Sequence, residues 1–304
     1  MKDKGQLWRM ALVSCAVGLA VSVNALAAES VAPIKPAGAE GTAPSYADYA
    51  AVLKAYVNDQ GMVNYGELKA HPQDLDRFVS ALASTDARAY EKWPDKDRIA
   101  FWLNAYNALT LKVIIDHYPI QTSFPATLLY PANSIRQIKG AWTDIEFNVM
   151  GKKVTLDGIE HKTLRKDFNE PRIHMALVCA AMGCPPLRNE PYTGPALDRQ
   201  LDDQAKRFLS NPQKFRIDPT ADRVYLSAIF DWFGEDFVRT YATVAKYQGR
   251  SEKERATLDF IGRLLSDDDR RYLETARYSI KYLDYDWSLN EQRAKEPAPV
   301  RSGI

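Results

Sequence analysis

One segment of the chain, residues 95–119, limits the possible folds more than any other. Its sequence, DKDRIAFWLNAYNALTLKVIIDHYP, begins with acidic residues and ends at Pro119, as helices commonly do. The apolar side chains between them leave no wholly polar face, which indicates a helix packed on nearly all sides. The rest of the chain must therefore supply elements that cover this helix.

Three polar residues interrupt the apolar surface of this helix. Asn104, Asn107 and Thr110 recur at every third position and form a short stripe. A buried amide without a hydrogen-bond partner costs about 1–3 kcal/mol, so each asparagine needs a partner. Either the amides hold a neighbouring loop, or they face a pocket and donate to a ligand.

Amphipathic patterns predict further helices around the central one, including residues 46–57, 73–84 and 196–211. The segment 155–165 is expected to form a short helix. Residues 223–242 begin like a strand and continue as an aromatic-rich helix.

Strand patterns are shorter and fewer. Polarity alternates around Gly151 and predicts a β-hairpin over residues 142–156. The apolar run 172–179 has the composition of a buried strand, and residues 278–290 are expected to close the sheet. With 46% hydrophobic residues the chain can build a full core. We expect a single α+β domain, with several helices around a small, mostly antiparallel sheet.

The first residues predict export. Basic residues within 1–9 precede an apolar run, 10–23, and the triplet Ala-Leu-Ala at 25–27, a pattern typical of a secretory signal peptide removed after residue 27. The run is shorter than the roughly 20 residues that cross a bilayer. Lipidation at Cys15 is disfavoured, because the apolar stretch before it is too short. We expect a periplasmic protein.

The flanks and the charge set further limits. Residues 28–44 are rich in Pro, Gly and small side chains and predict a flexible leader, whereas the polar residues 291–304 predict a disordered tail. The domain is expected over residues 45–290. A net charge of +1 without a basic block argues against nucleic acid as a partner. No later segment is apolar enough to span a membrane, and no cofactor is predicted.

Several motifs, in this order and spacing, resemble the family catalogued as domain of unknown function 547. They include AFWLNAYNALTLKVI at 100–114, PRIHMALVCAAMGCPPLR at 171–188, LSAIFDWFGEDF at 226–237 and LDYDWSLN at 283–290. The resemblance covers roughly residues 45–290 and implies a shared site, but no known activity, substrate or cofactor. The residues that recur in the family and match here are Asn104, Asn107, Glu160, His161, Arg165, Arg172, His174, Cys179, Cys184, Pro185, Pro186, Asp231, Trp232 and Asp236.

Cysteine and histidine in this pattern indicate thiol chemistry. A cysteine attacks as a thiolate, which a nearby imidazole can stabilise and a carboxylate can orient. The candidates are Cys184 or Cys179 as nucleophile, His174 or His161 as base, Glu160 or Asp236 as orienting carboxylate, and Asn104 or Asn107 as donors to an oxyanion. Arg172, Trp232 and Asp236 are candidates for substrate binding.

Strand geometry distinguishes the two cysteines. If residues 172–179 form a regular strand, His174 and Cys179 point to opposite faces, because an odd number of positions separates them. Cys184 lies beyond the predicted strand, so that restriction does not apply to it. We therefore prefer Cys184 as the nucleophile with His174 as base, and keep His161 as a partner for Cys179.

Two other interpretations of the cysteines stay open. An oxidising compartment favours a disulfide between Cys179 and Cys184, provided that a turn brings their α-carbons within about 7 Å. Zinc is the other, but neither a CxxC nor an HExxH spacing is present, and we predict no metal site.

The sequence thus supports two functions of different classes. The first is a cysteine-dependent hydrolase or acyl transferase, weakly analogous to papain and transglutaminase folds, that acts on peptide or amide bonds in the cell envelope. The second is a non-catalytic periplasmic binding or assembly factor, braced by the disulfide. Its substrate or partner in the envelope is unknown.

Overall fold

The computed structural model describes residues 44–242 and 245–292. The predicted signal peptide, Cys15, nearly all of the predicted leader and residues 293–304 of the predicted tail lie outside these ranges. The helices are α1 Ala47–Tyr56, α2 Tyr65–Ala70, α3 Gln73–Ser84, α4 Ala87–Tyr90, α5 Asp95–His117, α6 Arg165–Asp167, α7 Leu197–Leu209, α8 Ala228–Tyr241, α9 Glu252–Gly262 and α10 Asp267–Thr275. The strands are β1 Phe147–Val149, β2 Lys152–Val154, β3 Phe215–Asp218, β4 Arg223–Ser227 and β5 Ser279–Leu283.

Helix α5 is the centre of the larger core cluster. Every residue from Ile99 to Ile115 is buried except Lys112, as the unbroken apolar surface predicts. Acidic residues occupy its first turn and His117 its last, which suits the helix dipole. Helices α2 and α3 pack against it.

The strands form two small sheets. Strands β1 and β2 make the predicted hairpin, and Met150 and Gly151 turn it with positive φ angles of 53° and 74°. In the second sheet, β4 pairs antiparallel with β3 and parallel with β5. Helices α8 and α9 pack together beside this sheet and share a second core cluster with it. The predicted α+β domain with mostly antiparallel pairing is confirmed.

One predicted strand is wrong. Residues Pro171–Met175 form a 3-10 helix, and a loop follows it instead of a strand. The apolar run is buried as expected, but a short apolar run does not by itself distinguish a strand from another buried conformation. Its backbone groups are satisfied locally, since Ala176 and Leu177 both donate to the carbonyl of Ile173.

Within the part of the chain that the structure describes, no helix is both long and apolar enough to cross a membrane. Glu291 and Gln292, the first residues of the predicted tail, are paired with Val63. A β-bridge joins Val63 to Glu291, and the backbone N–H of Gln292 donates to the Val63 carbonyl over 2.9 Å.

Candidate functional site

The two cysteines lie at the ends of a tight loop, residues 179–184, and both are free thiols. The backbone N–H of Cys179 donates to the sulfur of Cys184 over 3.0 Å. The Tyr285 hydroxyl donates to the Cys184 sulfur over 3.0 Å and lies 3.3 Å from the Cys179 sulfur. A cluster of two thiols and one phenol therefore forms the centre of the candidate site.

Helix α5 holds the chain that leads into this loop. The Asn107 side chain donates to the Ala176 carbonyl over 3.0 Å and accepts from the Val178 N–H over 2.9 Å. Asn104 makes the same pair of bonds to the backbone of Tyr192, at 2.8 and 2.9 Å. Of the two interpretations of these amides, the geometry matches the first: they hold neighbouring loops and direct both of their polar ends at the backbone.

The C-terminal segment holds the other side of the loop. The N–H groups of Met182 and Gly183 donate to the carbonyls of Ser288 and Asp286, both over 2.7 Å. A Cβ atom on Gly183 would lie 2.6 Å from ring atoms of Tyr285, so only glycine lets that ring approach the thiols. The segment LDYDWSLN, expected to close the sheet, thus also completes the site.

Hydrogen bonds set the two thiols apart in acidity. Burial alone raises the pKa of the Cys184 thiol, but hydrogen bonds from the Cys179 thiol, the Tyr285 hydroxyl and the backbone amides of Ala181 and Cys179 outweigh burial and lower that pKa to about 7. The pKa of Cys179 is raised well above its usual value, first by the hydrogen bond to Cys184 and then by burial. Cys184 is therefore the more acidic thiol of the pair, and Cys179 the less acidic.

Glu160 contributes a buried carboxyl group close to the thiols. It lies in a π-helical turn, Gly158–Leu164, an irregularity that often occurs at functional sites. The Tyr106 hydroxyl donates to its Oε2 over 3.3 Å. Burial raises the pKa of Glu160, although His161, Tyr106 and Arg165 act in the opposite direction.

One of the expected pairings of a histidine with a carboxylate, that of His174 with Asp236, is present. His174 Nε2 is 2.7 Å from Asp236 Oδ2, and the Arg165 guanidinium binds both oxygens of Asp236, at 2.5 and 2.9 Å. Burial lowers the pKa of His174, although the hydrogen bond and the charge of Asp236 act in the opposite direction. The Phe233 ring stacks on the imidazole with the ring centres 4.2 Å apart. His161 is half-exposed and contacts Arg165, with its Nδ1 2.7 Å from Nη1.

One cleft of about 1110 Å³ brings most of the predicted residues together. The predicted site residues on its walls are Cys179, Cys184, Glu160, His161, His174 and Trp232. Aromatic side chains make up much of the remaining lining, and they include Tyr106, Tyr130, Trp142, Phe233, Tyr285 and Trp287. Within this cleft, no hydrogen bond joins either described thiol to an imidazole.

Four predicted residues lie off the cleft walls. Asn104 and Asn107 bind backbone, and Asp236 stands behind His174. Arg172 is held by three carboxylates, those of Glu170, Asp198 and Asp202. These ion pairs occupy the guanidinium that was expected to bind substrate.

Three groups near the thiols were not predicted from the sequence. Tyr285 lies in the family motif LDYDWSLN but was not among the predicted site residues. Tyr106 lies within the central helix and could not be told from core. Lys214 is buried, donates to the Met182 carbonyl, and has a pKa lowered by burial and partly restored by the charge of Cys184. No motif in the sequence marks Lys214.

Among residues 44–242 and 245–292, no group of three or more His, Cys, Asp or Glu side chains is arranged to hold a metal ion. Residues 90–209 match the model of a family described as "Protein of unknown function, DUF547". This segment of the chain is a DUF547 region. The DUF547 match includes both cysteines, Glu160 and His174, and ends before Trp232 and Tyr285. No curated protein and no solved structure matches the chain, so the likeness to papain and transglutaminase folds stays a prediction.

Proposed function

We propose that this DUF547 protein is a cysteine-dependent hydrolase or acyl transferase acting on peptide or amide bonds, with Cys184 as its nucleophile. The observation that carries the proposal is the hydrogen-bonded Cys184 thiol, with a pKa of about 7, on the wall of a large aromatic cleft. About half of such a thiol is ionised at neutral pH, whereas an ordinary cysteine, with a pKa near 8.5, is mostly protonated.

In the proposed reaction, the Cys184 thiolate attacks the carbonyl carbon of the amide, a C–S bond forms, and the carbonyl electron pair moves to oxygen. Collapse of this intermediate breaks the C–N bond, and the leaving amine takes a proton from a general acid on the cleft wall. Water, or a second acceptor in a transferase, then attacks the thioester. The attacking group returns its proton to the acid, and the thiolate leaves.

Glu160 on the cleft wall can supply that proton. Glu160 is close enough to raise the pKa of Cys179, and its own raised pKa keeps it protonated at higher pH than an ordinary carboxyl. His174 is oriented by Asp236 but is a poorer proton donor, because burial lowers its pKa, and it suits the base that assists the attack of water on the thioester. The pH dependence of activity tests these roles, because we expect Glu160→Gln to remove the limb due to an acid and His174→Gln the limb due to a base.

Alkylation of the reduced, folded protein tests the nucleophile. We expect iodoacetamide to modify Cys184 with a midpoint near pH 7 and Cys179 far more slowly, as measured by peptide mapping in a mass spectrometer. Cleavage of a peptide library by the wild type should disappear in Cys184→Ser, while Ser80→Ala on the distant helix α3 serves as a matched control. If neither cysteine reacts, the hydrolase proposal fails.

The second function from the sequence, a non-catalytic binding or assembly factor braced by a disulfide, is favoured by one observation. Cys179 and Cys184 contact each other directly, both through the Cys179 N–H and through their thiols. The intact mass of protein purified without reductant decides, since a disulfide lowers it by about 2 Da. A permanently oxidised pair would support this function and exclude a free nucleophile.

The proposed place of action is the cell envelope. It rests on the signal-peptide pattern in residues 1–27. Cell fractionation and N-terminal sequencing test it, with the expected mature chain starting at residue 28. A cytoplasmic protein that retains residue 1 would contradict it.

A further inference from the structure

An arginine on the cleft wall is surrounded by aromatic rings. The guanidinium carbon of Arg136 lies 4.6 Å from the ring centre of Tyr130, 5.1 Å from that of Trp287 and 5.6 Å from that of Trp142. The rings also contact one another, since Trp287 meets both Tyr130 and Trp142 edge to face, at 6.0 and 6.1 Å. Three aromatic side chains thus hold the guanidinium in place.

Most of the hydrogen-bonding capacity of this guanidinium is unused by the protein. Arg136 donates one side-chain bond, to the Tyr130 hydroxyl over 2.8 Å, out of the five N–H donors that a guanidinium carries. Among the described residues, no carboxylate forms an ion pair with it. By contrast, Arg165, Arg172 and Arg188 are each bound by one or more carboxylates. The free donors of Arg136 are therefore available to a ligand in the cleft.

The charges nearby favour an anionic ligand. Lys139 also lines the cleft and adds a second positive charge. Of the two acidic residues on the walls, Asp157 is 3.6 Å from His161, and burial shifts Glu160 toward its neutral form. Among the described residues, no carboxylate forms an ion pair with Arg136 or Lys139, so their positive charges are available to an anionic ligand.

The aromatic rings also connect this arginine to the thiols. Tyr285 touches Cys184, and its ring centre lies 4.7 Å from that of Trp287, which in turn contacts Arg136. Two aromatic rings, those of Tyr285 and Trp287, thus lie between the guanidinium and the nucleophile. A ligand that spans both must carry its charge several bonds away from the group that reacts.

We propose that Arg136 forms a subsite for a carboxylate of the substrate, several bonds from the carbonyl that Cys184 attacks. The assignment deepens the proposed hydrolase or transferase function, on which it rests. It commits the substrate class to peptides or acyl compounds with a free carboxylate and an apolar group. The planar guanidinium suits a carboxylate, which can accept two parallel hydrogen bonds. Exposed apolar side chains at the rim, Phe124 at 82% and Leu129 at 74%, cover the apolar part.

Ligand binding tests the subsite without any turnover. The probes are N-acetyl-phenylalanine and its primary amide, which differ only in the carboxylate, and the readout is tryptophan fluorescence from Trp142 and Trp287 beside the arginine. We expect the acid to bind about tenfold more tightly than the amide, and more weakly at high salt. In Arg136→Gln this difference should disappear while the amide binds as before.

Two further variants keep the result interpretable. Arg88→Gln removes an exposed arginine outside the cleft and should bind both probes like the wild type, whereas Arg136→Lys should recover part of the preference for the acid. Circular dichroism confirms that each variant is folded. Equal binding of the two probes by the wild type, or no binding of either, overturns the proposal. Cys184→Ser should keep the preference, so a failed hydrolase proposal is distinguishable from a failed subsite.

Discussion

At the scale of single residues, the Tyr285 hydroxyl is the donor to Cys184 that can be removed with the least change to the rest of the site. It donates to the Cys184 sulfur over 3.0 Å, and this bond is one of those that lower the thiol pKa to about 7. In Tyr285→Phe the ring stays and the donor is lost, so we expect the midpoint of iodoacetamide alkylation at Cys184 to rise by about 1 pH unit. Tyr225→Phe, on strand β4, is the matched control. An unchanged midpoint would show that Tyr285 does not stabilise the thiolate.

A second single residue, Asp236, links pH to stability. Burial alone would raise its pKa, but hydrogen bonds from His174 and Arg165 outweigh burial and hold the pKa well below its usual range. A carboxylate with a lowered folded-state pKa stabilises the protein above its unfolded pKa, about 4, and loses this effect as the pH falls further. We expect Asp236→Asn to lower the free energy of unfolding in urea by about 2 kcal/mol at pH 7.

The difference in the free energy of unfolding between the wild type and Asp236→Asn should stay constant above about pH 4 and narrow below it. Asp231→Asn removes an exposed carboxylate in the same helix α8 that pairs with Lys253, and it should cost well under half as much. A difference in the free energy of unfolding that widens toward low pH would contradict the lowered pKa of Asp236.

At the scale of elements, the sequence predicted the helices and the hairpin that depend on local sequence pattern. Helix α3 matches its expected bounds, 73–84, and α5 and the β1–β2 hairpin lie within theirs, because periodicity and turn residues are local properties. The strand expected at 172–179 is wrong because the polar partners of that run, such as the Asn107 amide, lie far away in the chain. Because that strand is absent, the argument that His174 and Cys179 point to its opposite faces no longer applies. Cys184 nevertheless has the lower thiol pKa, for a different reason, its hydrogen bonds.

The contact between the cysteine loop and the C-terminal segment is also an element-scale property. Gly183→Ala would place a Cβ 2.6 Å from the Tyr285 ring, so either the ring or the loop must move. We expect a loss of about 1–3 kcal/mol in the free energy of unfolding and a higher pKa of Cys184, because the Tyr285 hydroxyl is displaced. Gly66→Ala, whose Cβ would meet its nearest neighbour at 3.8 Å, is the control and should be nearly neutral. Wild-type alkylation in Gly183→Ala would refute the close approach.

At the scale of the whole molecule, the candidate site is assembled from distant parts of the chain. The family match at residues 90–209 supplies the thiols and Glu160, whereas Trp232, Tyr285 and Trp287 come from beyond it. Residue types and spacing indicated the cysteine cluster. They could not indicate which phenol touches the thiols, because that contact joins positions about a hundred residues apart and depends on the complete fold.

Truncation tests whether the C-terminal segment completes the site. A chain ending at residue 283 loses the phenol at Tyr285, the backbone bonds to Met182 and Gly183, and the Tyr65 hydroxyl bond of 2.7 Å to Asn290. We expect the Cys184 pKa to return toward 8.5 and the melting temperature to fall. A chain ending at residue 292 keeps all of these contacts and should behave like the full chain in both measurements. If the shorter chain kept a Cys184 pKa near 7, the family region alone would create the reactive thiol, and the C-terminal segment would serve only to cover it.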